Sequence, residues 1–270
     1  MSQEPSEAPP LSLEDARAAI DAVDDRLLAL IAERATLSMG IAAAKSAAPL
    51  ASPLRPAREV AILRRLIAGA PDRTDPALVV EIWRALIADN LRRQKCVEVF
   101  VGGALDPVRL FDMARRHFGS GARIARQEDA RTTLARMVDT PAAAAVLPFP
   151  SKSGAGGWWP ILAESRFRDA AIVAALPLRG DAEPEGAVVT VGAPLEKAGG
   201  DHSLVLAFDP HHKIGRALNE AHLKGMEVAR VNATVLIRFD EFMGVDDPRL
   251  VPMARAGLDG PRVVGVYARV

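Results

Sequence analysis

Residues 13–47 read LEDARAAIDAVDDRLLALIAERATLSMGIAAAKSA, and they decide the fold of the N-terminal third of the chain. Apolar residues recur at Leu13, Ile20, Val23, Leu27, Leu30, Leu37 and Ile41, the spacing of one helix face. Ser12 followed by Asp15 has the form of a capping box, and no proline intervenes before Pro49. One helix from Leu13 to about Ala47 is expected, roughly 50 Å long at 1.5 Å per residue. Such a helix outruns the width of a small domain, so its apolar stripe needs a second copy of itself: the pattern implies a homodimer.

Two further helices follow. Pro49, Pro53 and Pro56 mark the connection, and the next helix fits Pro56 to Ala68, with proline in its first turn and Gly69 just beyond its end. Asp75-Pro76 reads as a cap plus first-turn proline. It opens a third helix that carries Val79, Ile82, Trp83 and Leu86 and runs to about Lys95.

From Val97 the period changes. Short β-rich runs at 98–101, 122–125, 142–147, 171–175 and 187–191 alternate with helical stretches at 107–118 and 129–138, which suggests an α/β lobe. The Gly-rich stretch 154–157 before Trp158-Trp159 reads as a loop. The last segment reads as strand 203–208, helix 214–223, strands 227–232 and 234–239, helix 248–257 and strand 262–267. That βαββαβ order is ferredoxin-like. The expected organisation is therefore multidomain. A disordered tail (1–10) precedes an all-α three-helix domain (11–96), an α/β lobe (97–195) and a ferredoxin-like α+β domain (200–270).

Composition narrows the function. The 34 basic residues balance 34 acidic ones, so no global field attracts nucleic acid or an anionic membrane. Aromatics make up only 4%, too few for base-stacking platforms, and no apolar run reaches the roughly 18 residues of a membrane span. Cys96 is the one cysteine, which excludes an internal disulfide framework. A cytoplasmic protein without nucleic-acid or membrane partners is expected.

Polar residues inside the apolar stripes carry the chemistry. One heptad column of the first helix runs Leu13, Ile20, Leu27, Arg34, Ile41, with an arginine where an aliphatic belongs. Its neighbour runs Arg17, Asp24, Ile31, Ser38, Lys45. Arg34 and Lys45 lie about three turns apart and differ by only about 20° around the axis. Arg17 lies about 25 Å from Arg34 along the helix and roughly 260° around it, so the two cannot easily serve one site from one chain. In a dimer of long antiparallel helices, Arg17 reaches the partner's site. On the third helix Asn90 and Gln94 continue the apolar face, and the second opens with Arg58-Glu59. Each residue has a structural reading, since cations snorkel from apolar seams and a buried Asn sets dimer register. The whole set is costly to bury unpaired, which favours a bound dianion.

These residues resemble a known family. Arg17, Ile20-Asp21-Ala22-Val23-Asp24, Leu27-Leu28, Glu33-Arg34, Lys45, Arg58-Glu59, and Asn90 with Gln94 follow the motif set of the all-helical class of chorismate mutase, an intertwined homodimer. The resemblance implies that Arg17 of the partner, Arg34 and Arg58 bind the two carboxylates of chorismate. Lys45 and Gln94 would donate to the ether oxygen of the breaking bond, Glu59 would accept from the ring hydroxyl, and Asn90 would assist in binding. Arg55 stands where some members carry a carboxylate. The reaction implied is the pericyclic conversion of chorismate to prephenate, which needs no cofactor, metal or nucleophile.

The remainder resembles prephenate dehydratase followed by an ACT regulatory domain. Ala145-Val146-Leu147-Pro148 is similar to the dehydratase "GVxP" element, but Gly186-Ala187-Val188 falls where "TR(F/Y)" is expected. Gly215-Arg216-Ala217-Leu218 resembles the ACT "GAL" element, whereas Val231-Asn232-Ala233-Thr234 replaces "ESRP". The resemblance thus implies a degenerate dehydratase-like lobe without dehydratase activity and an ACT-like domain that regulates, dimerises or docks another shikimate-pathway enzyme. The alternatives are a bifunctional mutase–dehydratase, an isochorismate–pyruvate lyase on the same scaffold, and a non-catalytic metabolite sensor. His211-His212 reads as a solvated loop and Ser151-Lys152-Ser153 as a turn, and Gly102-Gly103 after a strand does not complete a GxGxxG, so nucleotide binding is not expected.

Overall fold

The computed structural model describes residues 12–44, 52–94, 97–103, 105–180 and 182–270. The chain divides into two compact units, residues 1–47 and 48–270. Lys45, Lys95, Cys96 and the N-terminal tail lie outside the described residues.

Among its described residues the first unit holds one helix, α1 (Leu13–Ala44). Ser12 caps it as its sequence leads one to expect: Oγ accepts from the Asp15 amide at 3.1 Å and donates to the Asp15 carboxylate at 2.5 Å. In the single chain Leu13, Ile20, Leu27, Leu30 and Leu37 are 51–68% exposed. A helix with so long an uncovered apolar stripe has most of its hydrophobic stabilisation still to gain.

The second unit begins with α2 (Pro56–Ala68) and α3 (Pro76–Gln94), both with the bounds that their punctuation predicts. Asp75 Oδ1 accepts from the Ala77 amide at 2.8 Å, and the Gly69 amide returns to the Arg65 carbonyl. The elements after them are β1 (Glu98–Val101), α4 (Pro107–Phe118), β2 (Arg123–Arg126), α5 (Ala130–Asp139), β3 (Ala144–Pro148), β4 (Ala170–Leu176) and β5 (Gly186–Val191). The series ends with β6 (Asp201–Phe208), α6 (Ile214–Glu220), β7 (Gly225–Val231), β8 (Thr234–Phe239), α7 (Leu250–Arg255) and β9 (Asp259–Ala268). Asp106 and Asp129 cap α4 and α5 by accepting from the amides of Arg109 and Thr132.

The nine strands among the described residues form one sheet, in the order β2-β1-β3-β5-β4-β9-β6-β8-β7. β1, β2 and β3 are parallel, the arrangement expected when helices return the chain between strands. Within the last segment the order β9-β6-β8-β7 is that of a ferredoxin-like sheet, in which the first strand lies between the third and fourth. The two halves join through the parallel pair Ile172↔Gly265. A Cβ on Gly265 would stand 2.7 Å from both the Cβ and the carbonyl oxygen of Ile172, so only glycine allows this approach. Gly265→Ala is expected to cost about 2 kcal/mol, a fall of roughly 4–8 °C in the thermal midpoint by calorimetry.

The helices cover both faces. Leu54, just before α2, and Val60 and Leu63 of α2 pack with Leu110, Ala114 and Phe118 of α4 against β1, β3 and β4. On the opposite face Trp158 and Trp159 enter the core with Leu134 and Met137 of α5. The Gly-rich stretch before them turns as a short 3-10 helix (Gly154–Gly156). The indole nitrogens donate to the Pro148 and Ser151 carbonyls at 2.7 and 3.1 Å. This tryptophan pair is a core anchor rather than the neighbour of a free loop.

Candidate active site and its buried ion pair

On α1, Arg17 is exposed and Arg34 is partly buried. Loss of water around the Arg34 guanidinium lowers its pKa from the ordinary arginine value. Arg34 interrupts the apolar face, and Ala32, Glu33 and Ala35 beside it are good helix formers that keep the helix intact through the interruption.

On the second unit, Arg58 and Glu59 occupy the first turn of α2, and Asn90 and Gln94 the last turns of α3. Arg58 projects outward, whereas Glu59 and Asn90 are buried and Gln94 is exposed one turn beyond Asn90. Glu59 is not left alone: its Oε2 accepts from Nη1 of Arg84 on α3, and both side chains are almost wholly buried. The other terminal nitrogen of Arg84, Nη2, donates to the His117 carbonyl near the end of α4. One planar guanidinium therefore fastens α2, α3 and α4 together and holds a carboxylate at the start of α2. A fork of this shape suits Arg and would not be reproduced by Lys.

Arg84 escaped the sequence reading, although its signal has the same form as that of Arg34. It stands in the column Val80, Arg84, Ile87, Leu91, a cation among aliphatics. Its acceptor lies on another helix, which no heptad count reveals.

Arg55 has a partner too. Its Nη2 and Nε donate to Glu196 Oε1 and Oε2 at 2.5 and 3.1 Å. Arg64, farther along α2, donates to the carbonyls of Gly199 and Arg269. Gly199 and Gly200 both have positive φ, which lets the turn present its carbonyl there while Asp201 accepts from the Ala198 and Gly199 amides. α2 is thereby tied to the segments that flank β6 and β9.

The His117 side chain is enclosed beside this network, with Nδ1 lacking a hydrogen bond. Burial first, and then the Arg84 charge, push its pKa well below the usual histidine value, so the ring is neutral. The sign of the resulting pH effect follows directly. Below about pH 6.5 the unfolded chain takes up a proton that the folded ring refuses, so stability falls as pH falls, by about 1.4 kcal/mol per unit. Chemical denaturation between pH 7 and 5 is expected to show this extra slope in wild type and not in His117→Gln.

These residues lie within a segment of known kind. Residues 16–95 match the chorismate mutase type II family. The matched span contains Arg17, Arg34, Lys45, Arg58, Glu59, Asn90 and Gln94, as well as Arg84. No curated protein matches the chain.

Among solved structures, the chain is similar to "GqqA- a novel type of quorum quenching acylases" at 16% identity and a TM-score of 0.43, over 64% of this chain and 95% of that one. It is also similar to prephenate dehydratase from Streptococcus mutans, with 12% identity, a TM-score of 0.44, and 63% and 97% of the two chains covered. A third is prephenate dehydratase in complex with L-Phe from Arthrobacter aurescens, with 14% identity, a TM-score of 0.41, and 64% and 90% covered. At such scores these likenesses assign no activity. No helix among the described residues is long and apolar enough to cross a membrane.

Proposed function

We propose that the chain is a homodimeric chorismate mutase that acts in the cytoplasm and uses no cofactor. The observation that carries this reading is the family match over residues 16–95, which spans every member of the polar set. Arg34 and Arg58, with Arg17 from the partner, hold the two carboxylates by paired N–H···O bonds. Lys45 and Gln94 donate to the ether oxygen as it gains charge, and Glu59 accepts from the ring hydroxyl while Asn90 completes the binding shell. The bond rearrangement is concerted, so no residue needs to transfer a proton. Rate comes from holding the side chain over the ring and from donors fixed where charge develops. The ion pair with Arg84 supports the assigned role of Glu59, because it keeps a buried carboxylate oriented as an acceptor.

The exposed stripe of α1 supports the dimer, since a second helix would cover it. The carboxyl-terminal segments serve regulation or docking in this reading, the last of them ACT-like, and dehydratase chemistry is absent. Gly186, Ala187 and Val188 are buried strand residues of β5 and offer neither hydroxyl nor cation.

The test is loss of chorismate absorbance with the purified full chain, with prephenate confirmed by acid conversion to phenylpyruvate, and sedimentation on the same sample. Saturable turnover by a dimer is the expected result. A folded protein with no turnover overturns the enzyme reading, and an active monomer overturns the shared site.

A further inference from the structure

A cleft of about 460 Å³ opens between α3, α4 and the residues that follow β4. Its size is that of a small-molecule site. Val80, Met113 and Leu178 give it an apolar lining, and Arg84 and His117 also line it. Each of these two polar side chains is more than nine-tenths buried and retains an unused nitrogen, Nε of Arg84 and Nδ1 of His117. Native proteins rarely leave such groups without a partner. At the rim stands Arg179, exposed and without a hydrogen bond or ion pair among the described residues. Arg115 and Arg116 add positive charge and share Asp112, and Glu81 is the one acidic lining residue.

An apolar hollow with cations at its floor and rim fits one class of ligand. We propose that this cleft binds a small carboxylate with an apolar body, and that the bound anion acts on Glu59 through Arg84. The guanidinium that meets Glu59 also lines the cleft. An anion beside it draws part of that charge away and loosens the hold on Glu59. The coupling rests on the mutase reading, whereas the binding site does not.

The test is calorimetric titration of the full-length protein with 3-phenylpropanoate, beside 3-phenylpropan-1-ol and acetate as the body without the anion and the anion without the body. Saturable binding of 3-phenylpropanoate below about 1 mM is expected, with both controls at least about tenfold weaker. Arg179→Ala is expected to weaken it about tenfold, and Met113→Trp to abolish it by filling the hollow; thermal unfolding verifies that each variant is folded. Absence of saturable binding, or binding indifferent to both folded variants, overturns the site. With chorismate as substrate, 3-phenylpropanoate is expected to raise KM about threefold or more and to leave kcat unchanged, an effect that Arg179→Ala removes. Binding with no change in KM overturns the coupling. Binding by a chain that does not turn over chorismate supports the site and removes the mutase reading.

Discussion

Arg34→Ala lowers chorismate turnover by at least about 10²-fold, a loss of about 2.7 kcal/mol of transition-state stabilisation. The reasoning starts from the helix. Arg34 is the one cation in the column Leu13, Ile20, Leu27, Ile41, and its partial burial has already removed part of its water. A guanidinium so placed loses little more solvation when a carboxylate arrives, and it offers two parallel N–H groups in a fixed plane. Alanine keeps the helix, being the best helix former, and deletes only the fork. The expected signature is therefore a folded dimer with collapsed kcat/KM, measured by chorismate absorbance and checked by circular dichroism. A variant within threefold of wild type would remove Arg34 from the site.

The second large effect is on stability. Arg84→Met leaves Glu59 buried without its cation and the His117 carbonyl without its donor. Breaking one side of a buried pair costs about 3–5 kcal/mol, a fall of roughly 6–20 °C in thermal midpoint for a chain of this length. The double variant Glu59→Leu/Arg84→Met is expected to recover much of that loss, because no unpaired charge remains. Denaturant titrations of both single variants and the double close the cycle. Equal and additive losses would show that the two residues are independent, contrary to the contact.

How much was legible in advance depended on how local the cause was. Pro56 with Gly69, and Asp75 with Pro76, bound α2 and α3 in sequence and in structure alike, because capping and proline geometry act within one turn. The strands β1 and β8 and the helix α4 likewise carry their expected bounds. The ferredoxin-like order of the last strands was readable from element order. The polar columns of α1 and α3 were visible as interruptions of a period. Arg84 interrupts the same kind of period and went unread, since the motif set directs attention to Asn90 and Gln94.

Partners distant in the chain were out of reach. Arg55 reads as a departure from the family pattern, yet it meets Glu196, 141 residues away, in a bidentate pair. Trp158 and Trp159 follow a Gly-rich stretch and read as loop neighbours, whereas their indoles fill the core beside α5. Gly265 looks like a weakness inside a strand until Ile172 is placed against it.

The bounds of α2, α3 and α4 and the order of the strands thus follow from spacing and punctuation, because hydrogen bonding and capping link residues only a few positions apart. By contrast, α6 and α7 are shorter than the expected 214–223 and 248–257, and the mutase motif rests on family resemblance. The union of the nine described strands in one sheet, the pairing of Glu59 with Arg84 and the cleft that Arg84 lines come from packing. Packing brings together side chains that no local rule relates. Burial then selects which charges must find one another, since an ion pair 25 residues apart in the chain is tolerable inside the protein only when its geometry is complete.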